Sequence, residues 1–271
     1  MRRSKTKAAS RYPTPALEKG LDILELFARE PAGLTKSDVA RRLGRTVSEI
    51  FRMLVCLEER GYISPSRDGE RFHLTLRLFE LGQQYPPTKR LLIESRPIMQ
   101  QVTDELNQSC HLGVLDGDRV MIVAHVDPPL SVGFYVKAGG IGDLMRSTTG
   151  HVILAHQSSE VSSRAVQLWC QHNHATPPRD FGEHLNKIKQ RGYEQTKSYE
   201  VEGVTNISFP VLDDRGHAVA ALSVPFLQRI GEPTTPVTVI RVLKQASSLL
   251  SQLIGGSLGK GDALDSDSSR K

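Results

Sequence analysis

The sequence predicts an α+β protein of two domains, an N-terminal winged helix-turn-helix and a mostly antiparallel sheet with flanking helices. Three observations lead to this prediction. Two short helical patterns meet at Gly44, a strand–turn–strand pattern follows them directly, and residues 110–225 contain further strand–turn–strand patterns. Because the second part contains no alternating series of strands and helices, a doubly wound parallel sheet is not expected.

Residues 33–62 carry the helix-turn-helix pattern. A polar start precedes a short helix that Gly44 ends, with apolar positions at Val39, Ala40 and Leu43. A second helix begins at Thr46 and places apolar side chains on one face, at Ile50, Met53, Leu54 and Leu57. This spacing is typical of a helix with one buried side, and two such helices around a glycine turn form a helix-turn-helix. The alternative is an ordinary helical hairpin in a protein core.

A strand–turn–strand pattern directly after the second helix predicts a wing. Residues 62–64 and 71–74 are the two strands, and Ser66-Arg67-Asp68-Gly69 is the turn between them. Arg67 and Arg71 could reach phosphates or the minor groove of DNA, or they could merely solvate the turn.

In a helix-turn-helix, the N-terminal residues of the second helix lie against base edges in the DNA major groove. The candidate DNA-contacting residues are Lys36, Ser37, Arg45, Thr46, Val47, Ser48, Glu49, Arg52, Arg67 and Arg71. Glu49 could accept a hydrogen bond from cytosine N4 or could complement the helix dipole, and the sequence does not separate these roles. Arg52, one turn further on, is the stronger candidate for a DNA contact.

Positive charge is concentrated in the first third of the 271-residue chain. Residues 1–90 contain 18 Lys/Arg and 11 Asp/Glu, a net charge of +7, whereas the remainder contains 17 and 19, a net charge of −2. This asymmetry fits DNA contact by the first part alone. The alternative is a basic tail on a neutral domain, because residues 1–12, which we expect to be disordered, supply much of the excess.

Composition excludes several other classes of protein. A hydrophobic content of 38% and a charged content of 24% suit a globular protein. No apolar run approaches the roughly 20 residues of a membrane span, and the basic N-terminus lacks the apolar segment of a signal peptide. The three cysteines, Cys56, Cys110 and Cys170, are far apart. Their odd number and spacing argue against a disulfide framework and for a reducing compartment, so we expect a cytoplasmic protein with no membrane partner.

The remaining helical patterns define the domain boundaries. Residues 15–29 form the first helix of the winged domain, and residues 75–84 form a linker helix that Pro86-Pro87 ends. We therefore expect a winged domain at residues 13–74, a linker helix at 75–88, a second domain at 89–255 and a disordered tail at 256–271.

The second domain is expected to mix strands and helices. A helix at residues 90–107, kinked before Pro97, precedes a hairpin of residues 110–115 and 120–125 around Asp116-Gly117-Asp118. Further strands are expected at residues 131–136, 193–199, 204–212 and 218–225, with a flexible glycine loop at 139–142. Further helices are expected after a polar loop within residues 147–155, at 183–191 before Gly192, and at 235–254.

The order and spacing of these segments resemble the IclR family of transcriptional regulators over nearly the whole ordered chain. The matching segments are ALEKGLDILELF, GLTKSDVARRLGRTVSEIFRMLVCLEERGYI, LFELGQ, LGVLDGDRVMIVAHVD, TTGHVILA, RGYEQT, EVEGVTNISFPVLDDRG and AALSV. The resemblance implies a winged helix-turn-helix joined by a helix to a GAF-like effector-sensing domain. It also implies homodimers or dimers of dimers that bind palindromic double-stranded operator DNA. Such proteins often regulate bacterial catabolic genes, and small carboxylates, including aromatic acids, are common effectors.

The resemblance places an effector pocket between the sheet and the loop before the TTGHVILA helix. Backbone amides at this helix start, at Ser147, Thr148 and Thr149, would receive the effector carboxylate, because a helix N-terminus attracts anions. Further pocket positions match Thr196, Asn206 and Ser223.

The chain departs from the family pattern around this pocket. Members that bind small keto acids have an acidic residue at the position of Thr196 and a cysteine at that of Asn206. Met145-Arg146 replace a usual His-Ala, and His151 replaces a usual Lys. Arg146 could pair with a carboxylate or face solvent. The identity of the effector is therefore left open.

Other functions have weaker support. The sequence has no GxSxG elbow and no Walker loop, since Gly259-Lys260 lacks the flanking pattern. Residues 170–174 offer three possible metal ligands at alternate positions, but a solvated loop is the better interpretation. We expect no catalytic residue, metal or cofactor. A DNA-tethered enzyme and an architectural DNA-binding protein are the alternatives, and the polar loop at residues 147–150 beneath an apolar sheet argues against the second.

The sequence thus predicts a ligand-responsive transcriptional regulator. A dimer would present two recognition helices to half-sites roughly 34 Å, or a multiple of that distance, apart. The effector must favour one arrangement of the two winged domains over another, because equal affinity for both arrangements would change nothing.

Overall fold

The computed structural model describes residues 14–84, 86–128, 130, 133–134 and 136–255. The chain divides into two compact units, Met1–Lys89 and Arg90–Lys271. The expected tails at residues 1–12 and 256–271 lie outside the described residues. No helix within the described ranges is long and apolar enough to cross a membrane.

The first unit is a winged helix-turn-helix followed by a further helix. Its elements in chain order are α1 (Pro15–Phe27), α2 (Lys36–Leu43), α3 (Val47–Glu59), β1 (Ile63–Pro65), β2 (Phe72–Leu74) and α4 (Arg77–Gln84). The strands β1 and β2 pair antiparallel and form the wing. The predicted winged helix-turn-helix is therefore confirmed, with α4 starting two residues later than the sequence pattern indicated.

Local sequence defines the turn between α2 and α3. Thr35 and Thr46 each begin a capping box, in which the threonine hydroxyl accepts from a backbone amide three residues on, and Asp38 or Glu49 accepts in return. Gly44 ends α2 with φ +63°, a left-handed conformation that glycine adopts readily. These features fix where α3 begins, and a buried apolar core then holds the three helices together. That core contains Ile23, Phe27, Leu34, Val39, Ala40, Ile50, Leu54, Leu57, Ile63 and Phe72.

The second unit is built around a six-stranded antiparallel sheet. Its elements are α5 (Pro86–Leu106, which begins just before the unit boundary), β3 (Cys110–Asp116), β4 (Arg119–Val126), β5 (Ile141–Asp143), α6 (Thr148–Ala155), α7 (Ser159–Asn173), α8 (Phe181–Arg191), β6 (Glu194–Lys197), β7 (Val204–Leu212), β8 (Ala218–Leu227) and α9 (Pro236–Leu253). The strand order is β5-β4-β3-β8-β7-β6. The predicted α+β class and antiparallel sheet are confirmed.

Helices cover both faces of this sheet. On one face, α5 and α9 contribute Met99, Leu106, Leu243 and Leu250 to a core that also contains apolar side chains of β3, β7 and β8. On the other face lies α6, all of whose residues are buried. Apolar residues of α7 and α8, such as Ala165 and Ile188, belong to the clusters that surround α6. A helix buried on every side has little water to satisfy its polar groups, so their protein partners decide its position.

Some predicted elements differ from the structure. The expected strand at residues 131–136 falls partly outside the described residues, and residues 133, 134 and 136 are not in a strand. The expected loop at 139–142 contains the start of β5, which pairs with β4. The segment at 170–174, interpreted as a loop, is the end of the unpredicted helix α7. Helix α5 continues through Pro97, and β6 is shorter than predicted.

Gly150, in the first turn of α6, packs tightly against the chain before the helix. A Cβ there would lie 2.6 Å from the Leu144 carbonyl oxygen and 2.9 Å from Ser147 Oγ. We expect Gly150→Ala to destabilise the second unit by about 1–3 kcal/mol, because the backbone carbonyl must move. Urea denaturation followed by the fluorescence of Trp169, the chain's single tryptophan, measures this change.

Gly182→Ala is the matched control, because Gly182 is also helical and a Cβ there would meet no heavy atom within 4 Å. This control should stabilise the unit by about 0.5–1 kcal/mol through the loss of glycine's backbone freedom. Equal effects of the two substitutions would contradict the close packing of α6.

Candidate functional site

A row of polar side chains crosses the sheet beneath α6. The residues His125, His111, Ser223, Ser208 and Glu194 are successive cross-strand partners on β4, β3, β8, β7 and β6. We call these five residues the polar row. Because directly opposite residues in a sheet share one face, all five side chains lie on the face that α6 covers.

The first turn of α6 is hydrogen-bonded to the polar row. Ser208 Oγ donates to Thr148 Oγ1 at 3.0 Å, and the Thr149 and Ser223 hydroxyl oxygens are 2.9 Å apart. Ser208 and Ser223 Oγ are 2.7 Å apart, and Thr149 Oγ1 lies 3.5 Å from His111 Nε2. The family resemblance implied that Thr148, Thr149 and Ser223 belong to one pocket, and these three residues lie close together in the structure.

Because each hydroxyl group has one proton to donate, the donor in each hydrogen bond of this chain can be assigned. Each hydroxyl carries one proton, and that of Ser208 goes to Thr148. Ser223 must then donate to Ser208, and Thr149 must donate to Ser223. At the contact with Thr149, His111 Nε2 is therefore the donor, and His111 Nδ1 holds a lone pair. The Thr148 hydroxyl proton, at the other end of the chain, is not used within it.

His111 is buried and neutral. The residue is 7% exposed, and Nδ1 has no hydrogen-bond partner in the described part of the chain. Burial, with a smaller contribution from the neighbouring His125, lowers the pKa of His111 to about 3. A buried acceptor without a donor is costly, so this nitrogen marks a position where a donor on a ligand would be favourable.

The N-terminus of α6 supplies unpaired donors beside the row. Ser147 caps the helix: its hydroxyl accepts from the amide of Gly150 at 3.1 Å, and its carbonyl accepts from His151 at 3.0 Å. Helix geometry leaves the first amides, those of Thr148 and Thr149, without intrahelical acceptors. These amides and the positive end of the helix dipole suit an anionic group.

The other expected effector residues lie farther from the hydroxyl chain. Thr196 and Asn206 are cross-strand partners on β6 and β7, where Asn206 is half-buried and Thr196 is exposed. Arg146 is exposed, and its guanidinium lies over the ring of Tyr199, 4.5 Å from the centroid. These residues border the buried hydroxyl groups rather than join their hydrogen-bond chain.

Three charged residues among the DNA-contacting candidates have partners within the first unit. The Glu49 carboxylate accepts from the Thr46 amide at 2.9 Å and pairs with Lys19 of α1 at 3.3 Å. The hydrogen bonds from Thr46, reinforced by Lys19, lower the pKa of Glu49 to about 2. Arg45 pairs with Asp22 of α1 at 3.4 Å. In the wing, Arg71 Nη1 donates to the Gly33 carbonyl at 3.0 Å.

The other candidates leave a surface around the start of α3. Ser37, Thr46, Val47, Ser48 and Arg52 are exposed, as is Arg67 in the wing turn. The Lys36 ammonium lies 5.3 Å from the centroid of the Phe51 ring. The exposed surface thus carries hydroxyl groups, two arginines and one aromatic ring.

Sequence reasoning missed several residues that the structure brings to these surfaces. His125, His111, Ser208 and Glu194 complete the polar row, and Phe51 lies exposed on α3. Two of them had a usable signal, because residues two apart on a strand share a face. Ser208 follows Asn206 by two positions on β7, and Glu194 precedes Thr196 by two on β6. Phe51 had no such signal, because an aromatic residue next to Ile50 is expected to be buried in the core.

Comparison with known proteins identifies both units. Residues 83–252 match the family model described as "Bacterial transcriptional regulator IclR C-terminal". Residues 16–66 match the model of the IclR helix-turn-helix domain.

Individual relatives agree with these matches. The HTH-type transcriptional regulator BhcR of Paracoccus denitrificans is 27% identical over 213 residues, which cover 77% of this chain and 76% of the relative. The crystal structure of the Thermotoga maritima IclR has a TM-score of 0.65 at 23% identity and covers 88% of this chain and 98% of its own. An IclR homolog from Microbacterium hydrocarbonoxydans, complexed with 4-hydroxybenzoate, has a TM-score of 0.70 at 23% identity, with the same coverage. The two solved structures share the fold.

The buried neutral His111 predicts a pH dependence of stability. Its pKa is about 3 in the folded chain and has the ordinary value of 6.5 when unfolded. Because the folded pKa is depressed, the unfolded chain binds the proton more tightly, and stability is lost as the pH falls from 6.5 towards 3. We expect His111→Gln to reduce the slope of unfolding free energy against pH by up to about 1.4 kcal/mol per pH unit in this window.

Urea denaturation at a series of pH values, followed by Trp169 fluorescence, measures the two slopes. Comparing the variant with the unsubstituted chain cancels the titration of other groups. Identical slopes would show that His111 is not buried neutral in the folded protein.

Proposed function

The chain belongs to the IclR family of bacterial transcriptional regulators, and we propose that it controls catabolic genes in response to a small organic carboxylate bound at the polar row. The family assignment establishes a DNA-binding transcriptional regulator. The effector class, the catabolic role and the individual site residues are the proposed part. In this proposal the second unit senses its ligand and does not turn it over.

The observation that most supports this proposal is the incomplete hydrogen bonding of a buried polar chain. At one end, His111 Nδ1 has no partner in the described part of the chain. At the other end, Thr148 accepts from Ser208, so the hydrogen bonds within the chain do not use its own hydroxyl proton. Buried polar groups in proteins are nearly always paired. A ligand that brings an acceptor to Thr148 and a donor to His111 would complete the chain.

A carboxylate fits the Thr148 end of this chain. Two unpaired amides, a hydroxyl donor and the helix dipole converge there, which favours an anion over a neutral group. A carboxylate can accept several of these donors at once, because it has about four lone-pair positions. Ser147, Thr148 and Thr149 would hold it, with Arg146 at the exposed margin.

A hydroxyl group on the effector fits the His111 end. The neutral imidazole needs a donor at Nδ1, and a hydroxyl can donate there. Apolar side chains of β4 lie on the same face of the sheet, including the buried Val120 and Ile122. A small hydroxy-carboxylate with an apolar body matches these three features, and Ser223, Asn206 and Thr196 would complete its surroundings. The Microbacterium hydrocarbonoxydans homolog in complex with 4-hydroxybenzoate supports this class.

We propose that α3 enters the major groove of a palindromic operator. Ser48 and Arg52 would contact base edges, and Lys36, Ser37, Thr46, Val47 and Arg67 would lie against the sugar–phosphate backbone or flanking bases. Arg45, Glu49 and Arg71 have internal partners, so their role would be mainly to position α3 and the wing. Arginine can donate two parallel hydrogen bonds to guanine O6 and N7, which suits Arg52 for sequence discrimination.

A second copy of the chain is the proposed partner in DNA binding, as a homodimer or a dimer of dimers. Large apolar side chains are exposed on α1 and on or next to α4. Leu17 is 61% exposed, Phe79 is 64% exposed and Leu76 is 74% exposed. Exposed apolar surfaces of this kind commonly mark protein–protein contacts. Two paired copies would present two recognition helices to a palindrome.

Arg52→Ala should weaken operator binding by about 1–3 kcal/mol, because the variant loses a base contact. The measurement is fluorescence anisotropy at one fixed salt concentration, with a duplex that the full chain selects from a random pool. Salt must be held constant because phosphate contacts make every affinity salt-dependent.

Arg60→Ala is the matched control for this measurement. It removes the same charge from the far end of the same helix, where the exposed Arg60 is the C-cap residue. The control should lose little affinity. Equal losses for the two variants would mean that Arg52 acts only through its charge and does not read a base.

A thermal-shift screen of the full chain against aliphatic and aromatic carboxylates tests the effector proposal. One chemical class should give a saturable increase in Tm, because a ligand selective for the folded state stabilises it by mass action. Hydroxy-carboxylates should shift Tm more than the same acids without the hydroxyl group. Thr149→Val should weaken binding of the active compound about tenfold, since it interrupts the hydroxyl chain at nearly constant volume.

Thr234→Val is the control for this substitution. Thr234 is also buried, and its hydroxyl donates to the Leu106 carbonyl, away from the polar row. The active compound should bind this variant as it binds the unsubstituted chain. A stabilising acid whose affinity is unchanged by Thr149→Val would place the effector elsewhere.

A further inference from the structure

Two histidines and a carboxylate converge at the Glu194 end of the polar row. His151 lies on α6, His184 on α8 and Glu194 on β6. One potential ligand atom from each lies within 4.8 Å of the others. His151 Nδ1 is 3.1 Å from both Glu194 oxygens, and His184 Nε2 is 2.8 Å from Oε1. The two ring nitrogens are 3.3 Å apart.

The hydrogen bond of His151 Nε2 determines which ring nitrogen of His151 is available as a metal ligand. His151 Nε2 lies 2.9 Å from the Met145 carbonyl oxygen. A carbonyl oxygen can only accept, so Nε2 carries a proton. In the neutral ring, Nδ1 then presents a lone pair to Glu194 and His184. A backbone carbonyl that holds the far nitrogen of a histidine is the usual support of a metal ligand.

Nδ1 of the neutral His151 and the Glu194 carboxylate are both acceptors, yet they lie 3.1 Å apart. His184 Nε2 also faces the carboxylate and either donates to it or presents a lone pair, according to its tautomer. The contact between His151 and Glu194 becomes favourable when an additional proton or a metal ion lies between them. A cation at this position would therefore satisfy both acceptors.

We propose that His151, His184 and Glu194 form a binding site for a divalent transition metal ion of the zinc class. Imidazole nitrogen and carboxylate oxygen are ligands that zinc takes in proteins, and two histidines with one glutamate is a known three-ligand set. The three proposed ligands are not among the residues assigned to the effector, so the metal site can be tested separately from the effector proposal.

The distances fit a tetrahedral ion with small adjustments. Zinc–nitrogen distances of about 2.0–2.1 Å place tetrahedral ligand atoms about 3.3 Å apart. The two ring nitrogens already have this separation, at 3.3 Å. The oxygen–nitrogen distances of 2.8 and 3.1 Å need to lengthen by only a few tenths of an ångström.

The three residues differ in exposure, so the ion would be enclosed by protein on one side and accessible to solvent on the other. The Glu194 and His151 side chains are 5% and 11% exposed, whereas that of His184 is 42% exposed. His184 and Glu194 also line a surface depression of about 220 Å³ that Thr196 borders. A water molecule or a small anion in this depression can complete the fourth coordination position, as in zinc sites with three protein ligands.

The ion would connect three elements of the second unit. It would join α6 and α8 to the edge strand β6, at the end of the polar row opposite His111. Because the ion would bind the folded arrangement of these three elements, it should stabilise the fold of the second unit. Mass action then predicts a Tm that rises with metal concentration.

Metal binding is tested with the full chain, freed of metal by a chelator and desalted. Zn²⁺ is titrated in competition with a chromophoric chelator, and Co²⁺ is added in a separate experiment to record visible d–d absorption. We expect one Zn²⁺ per chain, a tetrahedral Co²⁺ spectrum and a Tm increase with Zn²⁺. His184→Ala and Glu194→Gln should each weaken Zn²⁺ binding by more than about 100-fold, beyond the loss typical of supporting residues.

His172→Ala is the matched control, because His172 is an exposed histidine whose Nδ1 lies 2.9 Å from Asp118 Oδ2. This control should bind Zn²⁺ as the unsubstituted chain does. Alanine at the half-exposed His184 opens no buried core, and Glu194→Gln keeps the side-chain volume, so circular dichroism should show both variants folded. The absence of Zn²⁺ binding by the unsubstituted chain, or unchanged affinity in both ligand variants, overturns the proposal.

Discussion

The structure of the second unit depends on which groups form hydrogen bonds with the buried polar row. Five cross-strand positions place two histidines, two serines and a glutamate on one face of the sheet. Polar groups removed from water must find partners, and a generic apolar helix could not supply them. The first turns of α6 do so through Thr148, Thr149 and His151. The opposite face has no such requirement, and α5 and α9 cover it with aliphatic side chains.

Three properties of the protein follow from that constraint. The row fixes the N-terminus of α6, whose first amides have no intrahelical acceptors. At the His111 end of the hydroxyl chain, Nδ1 has no partner in the described part of the chain, and we propose that a ligand donates to it. At its Glu194 end, the same row brings a carboxylate to two histidines. In the first unit, α3 is held in position by capping boxes and by the ion pairs Lys19–Glu49 and Arg45–Asp22.

Much of the fold was predictable because its signals are local. Capping residues, Gly44 and hydrophobic periodicity specify α2, α3 and α9, and the Asp116-Gly117-Asp118 turn specifies the β3–β4 hairpin. The missed elements lack such signals. Only Ala165 of the 15 residues of α7 is buried, and nine of the 15 are polar, so its apolar signal is weak. The three-residue strand β5 exists through its pairing with β4. The polar row is set by strand register between distant segments. The two-residue spacing of Ser208 from Asn206 indicates a shared face, but no local pattern pairs Ser208 with Thr148 or His111 with Thr149.

The most direct test of this account is a crystal structure of the full chain with the carboxylate that stabilises it most. We predict that the carboxylate oxygens accept from the amides of Thr148 and Thr149 and that a ligand donor lies within hydrogen-bond distance of His111 Nδ1. A ligand in the groove lined by Tyr193, Phe209 and Ile240, with the polar row unchanged, would contradict it.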